Sequence, residues 1–241
     1  MKTILPYLSI PFIAALFIQC NSPVIKSVAT NEFGFDADSG FILKPQAEQL
    51  LHKIYPDSTG LTFDLKDNDS IGKYYKTSWG NIYSCIGIPE TATHIVCEIT
   101  PKGLIAKSGL FYSGTSHCCW SNLYEGFQKH GKYFSIKTCG TGSGFCSSEL
   151  FIFDRLKSQE EQNSILQFAW QSFCSGGACN LYSDMKIKND IVYMHYTLEK
   201  GEQDDEGEFK IRETKYFDIH YTKKESKWIS PDTIKLNDFR Y

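Results

Sequence analysis

The sequence lacks the basic charge that proteins use to bind nucleic acid. Lysine and arginine number 25 against 28 aspartates and glutamates, which gives a formal net charge of −3 at pH 7. Domains that bind nucleic acid carry a basic face or stripe, so we expect no nucleic-acid partner. The chain also lacks a repeat of fixed period near 40 residues, so a propeller is not favoured.

Motifs for metal, phosphate and catalytic chemistry are incomplete or missing. The acidic turn at 36–38 lacks the closing glutamate of a calcium loop. The glycine-rich segment 140–144 lacks the Lys-Ser or Lys-Thr of a phosphate-binding loop, and 117–119 lacks the ligand spacing of a zinc site. No Ser/His/Asp signature or paired carboxylate pattern stands out. We therefore expect no cofactor, no metal and no catalytic residue, which disfavours an enzyme.

One long, mainly apolar run is present, at the N-terminus. It covers residues 4–18, follows Lys2, and is interrupted by Pro6 and Pro11. It is too short for a membrane-spanning helix, which needs about 20 apolar residues. Polar residues begin directly after it. We predict a signal peptide over 1–19, a polar tether over 20–32, and a single β-rich domain over 33–241.

The end of this apolar run resembles the signal of bacterial lipoproteins. The matching residues are Phe17, Ile18, Gln19 and Cys20, and they are similar to the relaxed version found in spirochaetes. In that family the cysteine is lipidated and becomes the first residue of the mature protein. The resemblance implies that lipid on Cys20 binds the membrane, and that the protein is exported to the bacterial outer membrane or cell surface. An ordinary secretory signal and a retained anchor are the alternatives.

The cysteine count is consistent with export. The chain has nine cysteines, and eight remain if Cys20 carries lipid. An even number of cysteines in an exported chain indicates a disulfide framework. Cys139 and Cys146 bracket one short glycine-containing loop, and Cys174 and Cys179 bracket another. We predict that each of these pairs forms a disulfide.

Two arrangements remain open for the other four cysteines. A hairpin centred on Thr91 places Cys85 opposite Cys97, close enough for a bond. In that arrangement Cys118 and Cys119 form a strained bond with each other. In the alternative arrangement, Cys85 and Cys97 each bond to one member of this adjacent pair.

The pattern of apolar residues predicts a mainly β fold. Aromatic residues make up 15% of the chain, and Tyr and Phe fit the half-buried surface of a sheet. Apolar residues recur at helical spacing over 45–55, where we predict one short helix, and also within 164–173, which fits an alternating strand as well. Elsewhere strand-like runs alternate with short turns, and 164–173 favours a strand over a helix. We predict an antiparallel sandwich, barrel or meander, stapled by disulfides.

The segment 131–154 is predicted to be the central hairpin. Its two strand-like runs flank the glycine-rich turn, which we centre between Gly142 and Ser143. This register places Cys139 opposite Cys146, and it places Phe134 opposite Phe151. By the same count Ile136 lies opposite Glu149.

Four aromatic residues are candidates for an exposed binding surface. Sugar rings and partner proteins are often bound by such side chains, although packing in the core is the competing interpretation. We predict a lipid-anchored envelope protein that binds a protein or glycan ligand. The alternative is an envelope hydrolase with a histidine–carboxylate pair near Trp120. The four residues are Tyr112, Trp120, Tyr124 and Phe127.

Overall fold

The structure, a computed structural model, describes residues 32–56, 69–88, 93–112, 123–175 and 177–239. It is mostly β, with 61% in strands that form two antiparallel sheets, which confirms the predicted mainly β fold. The predicted helix is α1, Lys44–Ile54. No helix within these ranges is long and apolar enough to span a membrane.

Thirteen strands are described, and each pairs with its neighbour in sequence within a sheet. Two 3₁₀ helices, Leu123–Gly126 and Pro231–Phe239, complete the elements. The strands are β1 Ser39–Leu43, β2 Ser70–Lys76, β3 Ile82–Ile88, β4 Thr93–Ile99, β5 Ile105–Tyr112, β6 Gln128–His130, β7 Tyr133–Gly142, β8 Phe145–Phe153, β9 Ser164–Cys174, β10 Gly177–Lys188, β11 Ile191–Gln203, β12 Phe209–Lys224 and β13 Lys227–Ile229.

In the five-stranded sheet, β1 to β5, the central strands β3 and β4 are covered on both faces. Helix α1 packs on one face through Leu50 and Leu51. The other face contributes Tyr83 and Phe111 to a core shared with β7 and β8 of the larger sheet. As a result, every residue of β3 and β4 is buried. Burial on both faces explains why these strands are nearly continuous apolar runs.

Two hydrogen bonds of one side chain position helix α1. The backbone N–H of Leu43 donates to Oε1 of Gln46 at 2.9 Å, which satisfies a donor at the start of the helix. Nε2 of Gln46 donates to the carbonyl of Phe33 at 2.7 Å. Pro45 occupies the first turn, where its missing N–H costs nothing.

The eight-stranded sheet, β6 to β13, has a different pattern of burial. In β11 alternate residues from Val192 to Leu198 are buried, and His195 between them is exposed. The buried face supports its own apolar core, which includes Leu181, Met194 and Ile219. Period-two alternation of this kind is typical of a sheet with one face in solvent.

The larger sheet curls until its last strand contacts its earlier strands. The indole Nε1 of Trp228 in β13 donates to the carbonyl of Ile152 in β8 at 2.8 Å. The same indole lies edge-on to the ring of Tyr133 in β7, with centroids 5.3 Å apart. The side chain of Asn163 accepts from the Trp228 N–H at 2.8 Å and donates to its carbonyl at 2.5 Å. These contacts close the curled sheet around its core.

The central hairpin is present, but its predicted register is wrong. Gly142 pairs with Phe145, so the loop is Ser143-Gly144, one residue later than predicted. Phe134 then lies opposite Phe153, and Cys139 lies opposite Ser148. Ile136 lies opposite Phe151, and Thr141 opposite Cys146. Gly144 has φ of +73°, a conformation that glycine adopts without strain, and it therefore sets the position of the turn.

The pairing of β3 with β4 also differs from the predicted register. Each residue pairs with a partner one position away from the predicted one. Ser84 pairs with Cys97, and Cys85 pairs with Val96. Successive side chains of a strand point to opposite faces of the sheet. A register shift of one residue therefore places two side chains that were expected on the same face on opposite faces. Cys85 therefore lies in the core between the sheets, and Cys97 lies in the core under α1. A Cys85–Cys97 disulfide is excluded by this arrangement.

Candidate ligand cavity

The predicted aromatic surface is not formed by Tyr124 and Phe127. Both are buried, because they fill the space between the two sheets. Phe127 packs edge-on against Tyr75 with ring centroids 5.3 Å apart, and the Tyr124 hydroxyl is hydrogen-bonded to Ser70 at 2.8 Å. Trp120 lies outside the described residues, and Tyr112 is described only as a backbone position in β5. The interpretation of Tyr124 and Phe127 as core residues is therefore correct.

Cys85 and Cys97 are free thiols, so both predicted arrangements for them are wrong. They lie on opposite faces of one sheet. Burial raises the pKa of the Cys85 thiol, and it raises the pKa of Cys97 to about 12. Thiols in this state are poor nucleophiles and poor metal ligands. Cys118 and Cys119, like Cys20, lie outside the described residues.

The two short cysteine loops differ from each other in geometry. Cys174 and Cys179 lie 2.5 Å apart at the β9–β10 turn, although both are free thiols in the structure. Cys139 and Cys146 are diagonal neighbours in the β7–β8 ladder, and they are not among the free thiols of the described chain. The Cys139–Cys146 bond stays a prediction. The Cys174–Cys179 bond is not confirmed, because both residues are free thiols in the structure.

A cavity of about 620 Å³ lies within the curl of the larger sheet. This volume falls in the range of small-molecule sites, which often occupy the interior or mouth of a curved sheet. Strands β8, β9, β12 and β13 and the C-terminal 3₁₀ helix surround it. Its lining consists of Phe145, Ser147, Glu149, Asn163, Ser164, Leu166, Tyr221, Trp228, Ile229, Ser230, Thr233, Leu236 and Phe239.

Aromatic and aliphatic side chains form part of the cavity wall, and polar atoms make up more than half of its accessible surface. Trp228 and Tyr221 come from the last two strands and are almost fully buried. Leu236 and Phe239 come from the C-terminal 3₁₀ helix and are buried against the same core. The wall therefore depends on closure of the sheet by Trp228.

The polar part of the cavity is centred on Glu149. The pairing of β8 with β9 shifts between Ser148 and Glu149, and such bulges redirect side chains next to functional sites. The Ser164 hydroxyl at the start of β9 donates a hydrogen bond to Oε2 of Glu149. Ser147, two residues earlier on β8, also lines the cavity. No lysine, arginine or histidine is among the described residues that line it.

A histidine–carboxylate pair is present elsewhere, on the open face of the larger sheet. Nδ1 of His195 lies 2.6 Å from Oδ1 of Asp218. This hydrogen bond from His195 holds the pKa of Asp218 below its ordinary value. Their side chains are 55% and 59% exposed, and neither residue lines the cavity. Within the described ranges, no hydroxyl or thiol is hydrogen-bonded to His195, so the pair lacks an activated nucleophile.

Metal ligands do not converge in the part of the chain that the structure describes. No group of three or more His, Cys, Asp or Glu side chains in these residues is arranged to hold an ion. The polar groups of the cavity are hydroxyls, one amide and one carboxylate. They suit hydrogen bonding to an organic ligand.

Sequence reasoning missed the cavity because its residues are far apart in the chain. The signal that the sequence does contain is Glu149, a lone acid directly before the apolar run 150–153. An acid inside an otherwise buried strand points to a function or a specific partner. The closing residue, Trp228, has no comparable local signal.

Comparison with known proteins finds no matching family model, no similar curated protein and no similar solved structure. The cavity and the N-terminal sequence are therefore the features on which a function is proposed.

Proposed function

We propose that this chain is an exported, lipid-anchored binding protein whose curled sheet holds a small ligand with an apolar body. The cavity of about 620 Å³ carries the proposal. Ligand sites combine a mainly apolar wall with a few convergent polar groups. The wall here is built around Trp228 and Tyr221, and the polar groups are Glu149, Ser147 and Ser164.

The membrane attachment in this proposal rests on the N-terminal sequence. The residues at 17–20 support lipidation of Cys20, and the polar stretch that follows suits a tether between lipid and domain. A tethered domain at the outer membrane or cell surface has access to envelope and external ligands. Intact-mass measurement of the exported protein tests this part. We expect a mature chain that starts at Cys20 with acyl groups attached, and an unacylated start elsewhere would contradict it.

Ligand binding is tested with a compact neutral probe, 1-adamantanol. Calorimetric titration of the exported protein in nanodiscs is expected to show saturable binding, with empty nanodiscs as the blank. Thr233→Trp places a large ring at the half-buried cavity edge and should abolish binding. Ile234→Trp is the matched control, because Ile234 is 69% exposed and does not line the cavity. Binding that survives Thr233→Trp, or no binding to the unmodified protein, would refute the cavity as the site.

A second candidate function uses the open face of the larger sheet as a glycan-binding platform. Phe168 and Tyr182 lie side by side with ring centroids 5.7 Å apart, and Tyr216 is 68% exposed on β12. Exposed aromatic rings of this kind stack against sugar rings. Tyr216→Ala should weaken retention on immobilised envelope polysaccharide, with Ile211→Ala as the exposed control. Unchanged retention of Tyr216→Ala would exclude this face.

A further inference from the structure

We propose that the cavity selects a cationic ligand, an ammonium group with an apolar body, and that Glu149 binds the positive charge. This inference rests on the proposed function, because it specifies the ligand of the same cavity. Four observations on the described residues support it: the partners of Glu149, the charges around it, the aromatic wall and the pairing of other acids on the sheet.

The carboxylate of Glu149 has few partners for its position. It is half-buried, and its hydrogen bond to the Ser164 hydroxyl is the one side-chain bond that it makes among the described residues. A carboxylate has two oxygens with about four acceptor positions. Most of its acceptor capacity is therefore directed to solvent or to a ligand in the cavity.

No positive side chain compensates this charge within the cavity. The described lining residues include no lysine, arginine or histidine, and Glu149 forms no ion pair. A charge held beside an apolar wall is costly unless it is paired. A cationic ligand would provide that pairing, whereas an anionic ligand would be repelled.

Two acids at strand ends of the larger sheet are paired with lysines, unlike Glu149. Asp154 lies 2.5 Å from the ammonium group of Lys223. Asp190 lies 2.7 Å from that of Lys132. Glu149 is more enclosed than the exposed Asp190, yet it has no such partner. Glu199 on β11 also has no ion pair among the described residues, but unlike Glu149 it does not line the cavity.

The aromatic wall suits the same ligand class. Cations are attracted to the faces of aromatic rings, most strongly to tryptophan, and the attraction increases when water is excluded. Trp228, Tyr221, Phe145 and Phe239 all line the cavity. Phe145 is the half-buried ring of this set and the other three are at most 3% exposed, so Phe145 is the ring that we expect to contact the ammonium group.

Two probes of nearly the same shape test the charge preference. 1-Adamantylammonium and 1-adamantanol differ in the charged group and share the apolar cage. Titration of the exported protein in nanodiscs should show that the ammonium binds at least about tenfold more tightly than the alcohol, a typical gain for a charge-assisted contact.

Glu149→Gln isolates the contribution of the charge. Glutamine keeps the side-chain volume and an oxygen that accepts from Ser164, so we expect the fold to persist, as checked by thermal unfolding. The variant should lose the roughly tenfold preference for the ammonium and keep its affinity for the alcohol. Glu199→Gln is the matched control, because it removes the same charge from the sheet without touching the cavity.

The outcomes separate this inference from the proposed function. Equal binding of both probes, unaffected by Glu149→Gln, would refute the cationic ligand and leave the cavity as a binding site. A preference for the ammonium that Glu199→Gln removes as strongly as Glu149→Gln would also refute it, since the effect would then be one of net charge. If neither probe binds the unmodified protein, the cavity itself is excluded, and the inference with it.

Discussion

The two sheets of this protein bury their strands in different ways. Strands β3 and β4 are buried along their full length between helix α1 and the larger sheet. Strand β12 of the larger sheet is exposed at most of its sixteen positions. Where the larger sheet does bury residues, it does so mainly by curling around its own core and around the cavity.

This difference in burial predicts different effects of substitutions in the two sheets. Strands β3 and β4 have no surface left for a ligand, and their residues are constrained by packing on each side. The larger sheet keeps one face in solvent along β11 and β12, and its other face lines the cavity. We therefore expect substitutions in β3 and β4 to change stability alone, and substitutions near Trp228 to change both stability and binding.

Removing the indole of Trp228 should have the largest effect. Trp228→Ala deletes a 1% exposed side chain, its hydrogen bond to Ile152 and its contact with Tyr133. We expect a loss of about 3–5 kcal/mol in the free energy of unfolding, measured in urea. Adamantanol binding should be lost as well. Ile234→Ala, at a 69% exposed site outside the cavity lining, is the control, and an equal loss of stability and binding there would contradict the closing role of Trp228.

A substitution in the five-stranded sheet should affect stability without affecting the ligand. Ile86 is fully buried in β3, under helix α1. Ile86→Ala should cost about 2–5 kcal/mol, because it leaves a cavity that the surrounding core fills only partly. Ile211→Ala, at a 52% exposed position of β12, should change stability by less than about 0.5 kcal/mol. A change in probe affinity for Ile86→Ala under folding conditions would show that the two sheets are coupled.

Closure of the curl should weaken when its polar contact is removed. Asn163→Ala deletes both hydrogen bonds to the backbone of Trp228. Leaving partly buried backbone groups without partners should cost about 1–3 kcal/mol. Urea unfolding measures the loss, and Asn163→Asp, which can still accept from the Trp228 N–H, should lose less. If both variants are as stable as the unmodified protein, the Asn163 contacts do not hold the sheet closed.

The ion pair of Asp154 with Lys223 should give the smallest effect, and that effect should depend on pH. Partial burial alone would raise the pKa of Asp154, but the hydrogen bond and charge of Lys223 outweigh it and lower the pKa. The pair therefore stabilises the fold above the unfolded-state pKa of about 3.9 and loses this contribution as the pH falls through the lower folded-state pKa.

We expect Asp154→Asn to cost at most about 1 kcal/mol at neutral pH, because the pair is partly exposed to solvent. The difference between variant and unmodified protein should shrink as the pH is lowered below about 4. Urea unfolding across this range measures it. A difference that grows toward acid pH would show that Asp154 does not act as an ionised partner of Lys223.

Local signals in the sequence predicted much of the fold. The helix near 45–55 has its proline and apolar stripe, and β9 alternates as a strand. Between β10 and β11 the polar residues Asn189 and Asp190, of types that favour turns, form the turn with positive φ angles of 50° and 61°. Each of these signals lies within a few residues of the structure that it predicts.

Local signals did not predict the register of the β3–β4 and β7–β8 hairpins. In β3 and β4 both faces are buried, so the apolar pattern fits either face and does not distinguish registers one residue apart. The assumption that Cys85 opposes Cys97 had no support from the pattern. In β7 and β8 several glycines fit the turn, and the sequence does not show that Gly144 is the one with the positive φ angle.

The cavity depends on contacts that no local pattern encodes. Asn163 and Trp228 are 65 residues apart, and Ile152 and Trp228 are 76 residues apart. These contacts form only when six consecutive strands curl together. The sequence placed Glu149 in a strand, but it did not place it beside a cavity.

The closure of the larger sheet by Trp228 is the central claim, and nuclear Overhauser effects measure it most directly. We expect cross-peaks between the indole protons of Trp228 and the ring protons of Tyr133, whose centroids are 5.3 Å apart, and between the indole N–H and the backbone of Ile152. Cross-peaks from Trp228 confined to residues of β12 and the C-terminal 3₁₀ helix would show an open sheet. An open sheet has no cavity, and that result would contradict the account.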